Sequence, residues 1–410
     1  MKLAWALLLL AACKEREAPS NRAPIRPPVQ ELDRLPAEQP EPPQRPAAPP
    51  RQPTSLDQVL ECFSDPISVP VPQSISSVTT GDFDRDGRTD VTVTYETLQD
   101  QVFTGHVVVY RNTGDGRLQE HSSITAGDMV YAVSSGDIDG DGNLDLAVGD
   151  PRGGKTRLYA GIGDGTFVEK PGVASGRKPY GATLVDLDGD TKLDLITELF
   201  SAVAIYKGDG KFGFKRRTVL DTGQAPDGPV VADLDGDKVL DLGYAANDEG
   251  YFFTLKGPGY RQHVKDQSCG EPAYVSGGDF DDDGDTDIGY VCSERIELRL
   301  NDGKGNFKLV SYPYGPAEEP IVAADLTRDG KTDLLVAYRN RSADPFDISA
   351  TLVLLEGLGN GEWRERATGR LPIISGMKVA DMDGDQKLDI VLATWTGNQA
   401  AIVVLLGQDC

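Results

Sequence analysis

The chain has 410 residues, with 41 basic against 65 acidic side chains and a formal charge of −24. That balance excludes nucleic acid as a partner, since a phosphate backbone needs clustered Lys and Arg, and only His106, His121 and His263 are present for histidine-based zinc or catalytic sites. With 39% hydrophobic residues and 46 glycines, the composition suits a turn-rich, repeat-built β architecture better than one ordinary domain of about 100–200 residues.

Met1-Lys2 and the apolar run Leu3–Ala12 predict an export signal, because the run is too short for a bilayer span of about 20 residues. It ends Leu10-Ala-Ala-Cys13, which resembles the lipobox of bacterial lipoproteins. The resemblance implies a signal over residues 1–13, lipidation of Cys13 and, with Lys14 following, an outer-membrane or surface lipoprotein of the cell envelope. Cleavage after Ala12 with Cys13 unmodified, or an uncleaved signal, are the alternatives. Residues 14–56 hold 12 prolines in 43 positions, with Arg, Glu and Gln between them, and predict a disordered tether. The remaining span, 57–410, carries the excess acid.

Within 57–410 one nine-residue pattern, Asp-x-Asp-x-Asp-x-x-x-Asp, recurs seven times. Positions 1, 3, 5 and 9 are Asp82, Asp84, Asp86 and Asp90 in the first copy and Asp137, Asp139, Asp141 and Asp145 in the second. They are Asp186, Asp188, Asp190 and Asp194 in the third, and Asp233, Asp235, Asp237 and Asp241 in the fourth. Copies five to seven have Asp279, Asp281, Asp283 and Asp287; Asp325, Thr327, Asp329 and Asp333; and Asp381, Asp383, Asp385 and Asp389. A hard cation takes six to eight oxygens, and a tight loop converges positions 1, 3 and 5 on one point. Position 7 (Arg88, Asn143, Lys192, Val239, Asp285, Lys331, Lys387) would add a backbone carbonyl, and position 9 a further carboxylate. Calcium in five to seven sites is therefore expected, weakest where Thr327 replaces a carboxylate. Glycine at position 6 (Gly87, Gly142, Gly284, Gly330) permits a sharp turn. Thr191, Lys238 and Gln386 stand there in copies three, four and seven, with glycine moved to position 4. Solvated turns without metal fit poorly, because carboxylates about 4 Å apart repel by roughly 1 kcal/mol per pair even at the dielectric of water.

An EF-hand needs Glu at position 12 and a helix next. Here position 12 reads Val93, Val148, Thr197, Tyr244, Tyr290, Val336 and Leu392, inside β-type runs that start at position 9. Short small-residue strands precede the loops, for example Ser76–Thr80, Ala132–Ser135 and Val322–Ala324. Third strands follow (Val107–Tyr110, Ala204–Tyr206, Leu298–Leu300, Leu352–Leu355), and most lead to glycine-rich hairpins such as Gly161-Ile-Gly-Asp-Gly-Thr-Phe167. Four strands in each of seven repeats predict an all-β fold, a seven-bladed β-propeller of four-stranded antiparallel blades. The aspartate loops and Gly-Asp-Gly-x-Phe hairpins resemble the FG-GAP/VCBS repeats of integrin α-chain propellers and bacterial surface proteins. That resemblance covers 57–410 and implies calcium at positions 1, 3, 5, 7 and 9 of each loop.

The leading expectation is a non-catalytic binding or adhesion module for a protein or glycan, bound on the face opposite the calcium turns. Loops there include Glu96–Gly105, Asp150–Lys155 and Arg339–Ser349, with segments Ser175–Tyr180 and Pro313–Pro320; Tyr131 and Tyr180 would flank a central channel. No Gly-x-Ser-x-Gly, His-Glu-x-x-His or phosphate-binding loop supports the alternative of a polysaccharide-processing enzyme. A purely structural envelope-assembly lipoprotein is the third reading. Export implies disulfides. Cys269 and Cys292 flank the first two strands of repeat five, and Cys62 would meet Cys410 if Phe63–Val71 supplied the outer strand that the seventh repeat lacks.

Overall fold

The computed structural model describes residues 62–409 apart from 177, 223–225, 247–249, 270–271, 314–319 and 341–348. The expected signal, Cys13, the tether 14–56 and Cys410 lie outside the described residues, as does most of Arg339–Ser349 and Pro313–Pro320. Every regular element among the described residues is a β-strand. Repeat two shows the pattern: Val133–Gly136, Asp145–Asp150, Lys155–Gly161 and Phe167–Ala174 pair in that order as an antiparallel sheet. The second strand is buried along its whole length because neighbouring sheets cover both of its faces. Between its opening Asp145 and closing Asp150 its residues, Leu146–Gly149, are accordingly apolar without alternation. The fourth strand lies at the rim, and most of its side chains are exposed or half-buried.

Five sheets have four strands and one has seven, so six sheets stand where seven separate ones were expected. The difference has one cause. Trp363–Ala380 is a single unbroken strand that pairs with Ser349–Gly357 along Trp363–Pro372 and with Asp389–Trp395 along Ile373–Ala380. It is the fourth strand of repeat six and the first of repeat seven at once.

The far edge of that sheet is closed by the other end of the chain. Ile67–Val71 pairs antiparallel with Ala400–Leu405, from Ile67 opposite Val404 to Val71 opposite Ala400. Phe63 bridges to Gly407, as Phe167 faces Gly161 in repeat two, so it holds the aromatic place expected from the sequence. The Gln408 N–H donates to the Cys62 carbonyl (2.7 Å), and the Ser64 N–H to that of Leu406 (2.8 Å). The core is divided into seven clusters, one between each pair of consecutive repeats and one between the last and the first. In the last, Val391, Ala393 and Ile402 pack with Val78, Val91 and Val93.

Cys269 and Cys292 form the disulfide expected across repeat five. Glu96–Gly105 differs from expectation. The strands Asp90–Gln99 and Val102–Asn112 stay paired out to Gln99 opposite Val102. The loop is therefore a two-residue turn in which Asp100 and Gln101 both take positive φ (51° and 68°), the backbone of a type I′ hairpin. No glycine announced it.

Candidate metal-loop sites

Each aspartate loop joins the first strand of its repeat to the second, and its geometry is nearly the same seven times. Position 1 opens the turn: its Oδ2 accepts the backbone N–H of position 6 in every copy, from Gly87 on Asp82 (3.0 Å) to Gln386 on Asp381 (2.9 Å). Position 5 accepts the N–H of position 7 in every copy, as Asn143 donates to Asp141 (2.8 Å). These bonds hold the carboxylates of positions 1 and 5 within the turn. In Asp82/Asp84/Asp86 and Asp186/Asp188/Asp190, one oxygen from each residue lies within 4.8 Å of the others. Asp137/Asp139/Asp145 and Asp233/Asp235/Asp241 converge equally closely, which brings position 9 into the group.

The turn needs two left-handed residues, at positions 4 and 6, in all seven copies. Where position 6 is not glycine, Thr191, Lys238 and Gln386 adopt φ of 69°, 68° and 66°, and glycine serves position 4 (Gly189, Gly236, Gly384). Where position 6 is glycine, Arg85, Asp282 and Arg328 carry the strain at position 4, and only repeat two has glycine at both (Gly140, Gly142). The absent glycine therefore does not distort loops three, four and seven. A Cβ at position 142 would meet nothing within 4 Å, so only the backbone resists it. Gly142→Ala should cost about 1–2 kcal/mol, and Lys238→Gly should gain up to about 1 kcal/mol, in urea melts. A neutral Gly142→Ala would contradict the strain argument.

Position 9 does more than the spacing suggested. All seven side chains (Asp90, Asp145, Asp194, Asp241, Asp287, Asp333, Asp389) are buried at the start of the second strand. The Oδ1 of each accepts the backbone N–H at the end of the third strand, for example Gly161 on Asp145 (2.9 Å) and Asn301 on Asp287 (2.6 Å). In six copies Oδ2 accepts the N–H of position 2, as in Ile138 on Asp145 (2.7 Å). Burial pushes the carboxyls of Asp90, Asp145 and Asp389 up to about 6 and that of Asp287 up to about 7; the backbone bonds oppose this and neighbouring loop carboxylates add to it. A cation in the loop would favour the ionised form.

Position 2 was passed over in the sequence, although it is apolar in every copy. Phe83, Ile138, Leu187, Leu234, Phe280, Leu326 and Met382 are all buried. Several reach the next repeat: Phe83 meets Phe167 edge to face at 6.0 Å, and Phe280 meets Trp363 at 5.6 Å. Their carbonyls accept bonds from that repeat as well, from Gly165 on Phe83 (3.0 Å) and from Asn301 Nδ2 on Leu234 (2.9 Å). Each such loop is thus a peg between sheets as well as an acidic turn.

The donor set is all oxygen, as a hard cation requires. Buried oxygens Asp235 Oδ1, Asp281 Oδ1 and Asp325 Oδ1 have no hydrogen-bond partner, a costly state that an ion would relieve. The residues present fit calcium. Cys269, Cys292 and Glu297 also converge, but the two sulfurs are bonded to each other and cannot ligate a metal. On the opposite face, Tyr131 and Tyr180 meet edge to face at 5.2 Å, and Phe200, 55% exposed, lies 6.2 Å from Tyr180.

No curated protein matches the chain. BBS1N, crystallised in complex with ARL6DN, is similar in structure, with a TM-score of 0.56 at 13% identity over 85% of this chain and 97% of that one. The likeness carries the fold alone, a β-propeller. An Agrocybe aegerita lectin specific for non-reducing terminal N-acetylglucosamine gives a TM-score of 0.48 at 16% identity, covering 75% of this chain and 80% of that one. A family model described as FG-GAP-like repeat matches residues 100–148, 137–197, 279–336 and 325–392, and each match includes one or two of the aspartate loops. Those matches take in just over half of the residues, and the same loop recurs outside them at 82–90 and 233–241: the chain belongs to the FG-GAP-like repeat family.

Proposed function

We propose that the chain is a calcium-stabilised, seven-bladed propeller that serves as a non-catalytic binding module for a protein or glycan, tethered to a bacterial envelope through lipid on Cys13. Seven core clusters between consecutive repeats support the blade count, with Trp363–Ala380 shared by two blades. The unpartnered Oδ1 atoms of Asp281 and Asp325, inside preformed turns, support calcium. A Cys62–Cys410 disulfide would lock the two chain ends where they already pair. BBS1N, crystallised with ARL6DN, is a precedent for a propeller that holds a protein partner.

One observation carries the binding role. The aspartate turns and glycine hairpins share one face, so the opposite face is free of that structural work. It presents the projecting hairpin with Leu98 and Val102 exposed (58% and 59%) and the cluster Tyr131–Tyr180–Phe200. Exposed apolar and aromatic side chains grouped on a rigid scaffold are what a recognition surface needs. The test is a glycan array and an envelope-extract capture with the full chain beside Phe200→Ala and Leu98→Ser. Loss of a specific, saturable ligand in either variant with an unchanged melting temperature is expected. Retention of that ligand in both variants would move the binding surface elsewhere.

A further inference from the structure

In three of the seven loops a cation of the chain's own bridges two of the carboxylates. In repeat three the Lys207 ammonium pairs with Asp188 and lies 2.8 Å from Asp190 Oδ2. In repeat four Lys256 pairs with Asp235 and stands 3.4 Å from Asp237 Oδ2. In repeat one Arg111 Nε is 2.6 Å from Asp84 Oδ2, and its Nη2 is 3.0 Å from Asp86 Oδ2. Each cation spans positions 3 and 5, where a metal ion would draw two of its carboxylates. In repeat four the lysine takes one oxygen of Asp235 and leaves Oδ1 without a partner, so neutralisation there is the least complete.

The three basic residues occupy one place in the repeat. Each directly precedes the residue whose N–H anchors the position-9 aspartate (Asn112, Gly208, Gly257) at the end of the third strand. Ala160, Leu300 and Leu406 fill that place in repeats two, five and seven. In repeat six it is Glu356, which pairs with Arg364 (2.7 Å). Among the described residues, no basic side chain forms a close ion pair with the loop carboxylates of repeats two, five and six; Lys308 acts on Asp281, and Arg364 on Asp329, only from farther away. In repeat seven, Lys387 reaches position 5 alone, at 3.0 Å.

We infer that Arg111, Lys207 and Lys256 are built-in counter-ions, so that part of the loop charge of repeats one, three and four is balanced without metal and calcium is confined to repeats two, five, six and seven. This rests on the calcium reading above and corrects its stoichiometry. A head group rooted on the adjacent strand is always at hand, and a divalent ion must either displace it or bind beside a like charge. Extracellular sites of this class bind at roughly 10⁻⁴–10⁻³ M, so a tenfold weakening carries a loop out of the useful range.

The experiment is metal analysis of the full chain after equilibrium dialysis against millimolar calcium, with a melt of each variant to confirm folding. Four ions are expected in the unaltered protein. Lys207→Met, Lys256→Met and Arg111→Met should each add one ion, and Ala160→Lys should remove one. Seven ions in the unaltered protein, or no gain in any of the three methionine variants, would overturn the assignment while leaving calcium binding intact. No ion at all in the unaltered protein would overturn the calcium reading and the assignment together.

Discussion

Asp145→Ala should unfold at markedly lower denaturant than the unaltered chain even in chelator, whereas Asp139→Ala, in the same loop, should not. The two aspartates look alike in the sequence, but their surroundings differ. Asp145 is fully buried and holds two backbone N–H groups, those of Ile138 and Gly161. Truncation leaves both donors buried without a partner, at about 1–3 kcal/mol each. The expected loss is therefore about 2–6 kcal/mol. Asp139 is exposed, and its removal from metal-free protein relieves repulsion among neighbouring carboxylates, so a change within about 0.5 kcal/mol is expected. With calcium present the exposed variant should also lose stability, because it then lacks a ligand. Asp145→Asn tests the same point more gently: one amide oxygen can serve one N–H, while its NH₂ faces the other. Equal losses for Asp139→Ala and Asp145→Ala in chelator would mean that position 9 is no more than a fourth ligand.

A second large effect is expected at the closure. A chain beginning at residue 72 lacks Ile67–Val71 and the buried Cys62 and Phe63. It bares Ala400–Leu405, an apolar edge with unpaired backbone groups that invites strand-to-strand association. That chain should be recovered mainly as aggregate, or should melt well below the full chain. Phe63→Ala keeps the strand and removes only the aromatic anchor, which should cost about 3–5 kcal/mol. Removal of 14–56, by contrast, should leave the melting temperature unchanged. A soluble chain starting at 72 that melts with the unaltered protein would show the closing strand to be dispensable.

Most of the loops and strands could be read from the sequence because both depend on short, fixed spacings. Alternation of aspartates sets the turn, and the apolar run after position 9 sets the second strand. The closing strand was legible too, because a repeat that stops one strand short demands a partner. What escaped depended on contacts made at long range or on backbone torsion. Lys207 and Lys256 lie 17 and 21 residues from carboxylates they neutralise, across a whole strand, and nothing local marks them. Position 2 was visibly apolar in every copy, yet its purpose lies in the next repeat, as with Phe83 against Phe167. The hairpin at Asp100-Gln101 lacks the glycine that usually signals such a turn, and paired strands override the local cost.

The unbroken strand Trp363–Ala380 has a consequence for how the ring can be opened. Elsewhere a connector separates one repeat from the next, as Ala126–Ala132 does between repeats one and two, and a nick or a guest sequence there would spare the ladders. Between repeats six and seven no such seam exists: Pro372 is paired to Ser349 and the adjacent Ile373 to Trp395. A circularly permuted chain could start at the other junctions, but one started at Ile373 would sever a beam that two sheets hold in common. Repeats six and seven should therefore come apart as one piece, leaving the ring to breathe at its other joints.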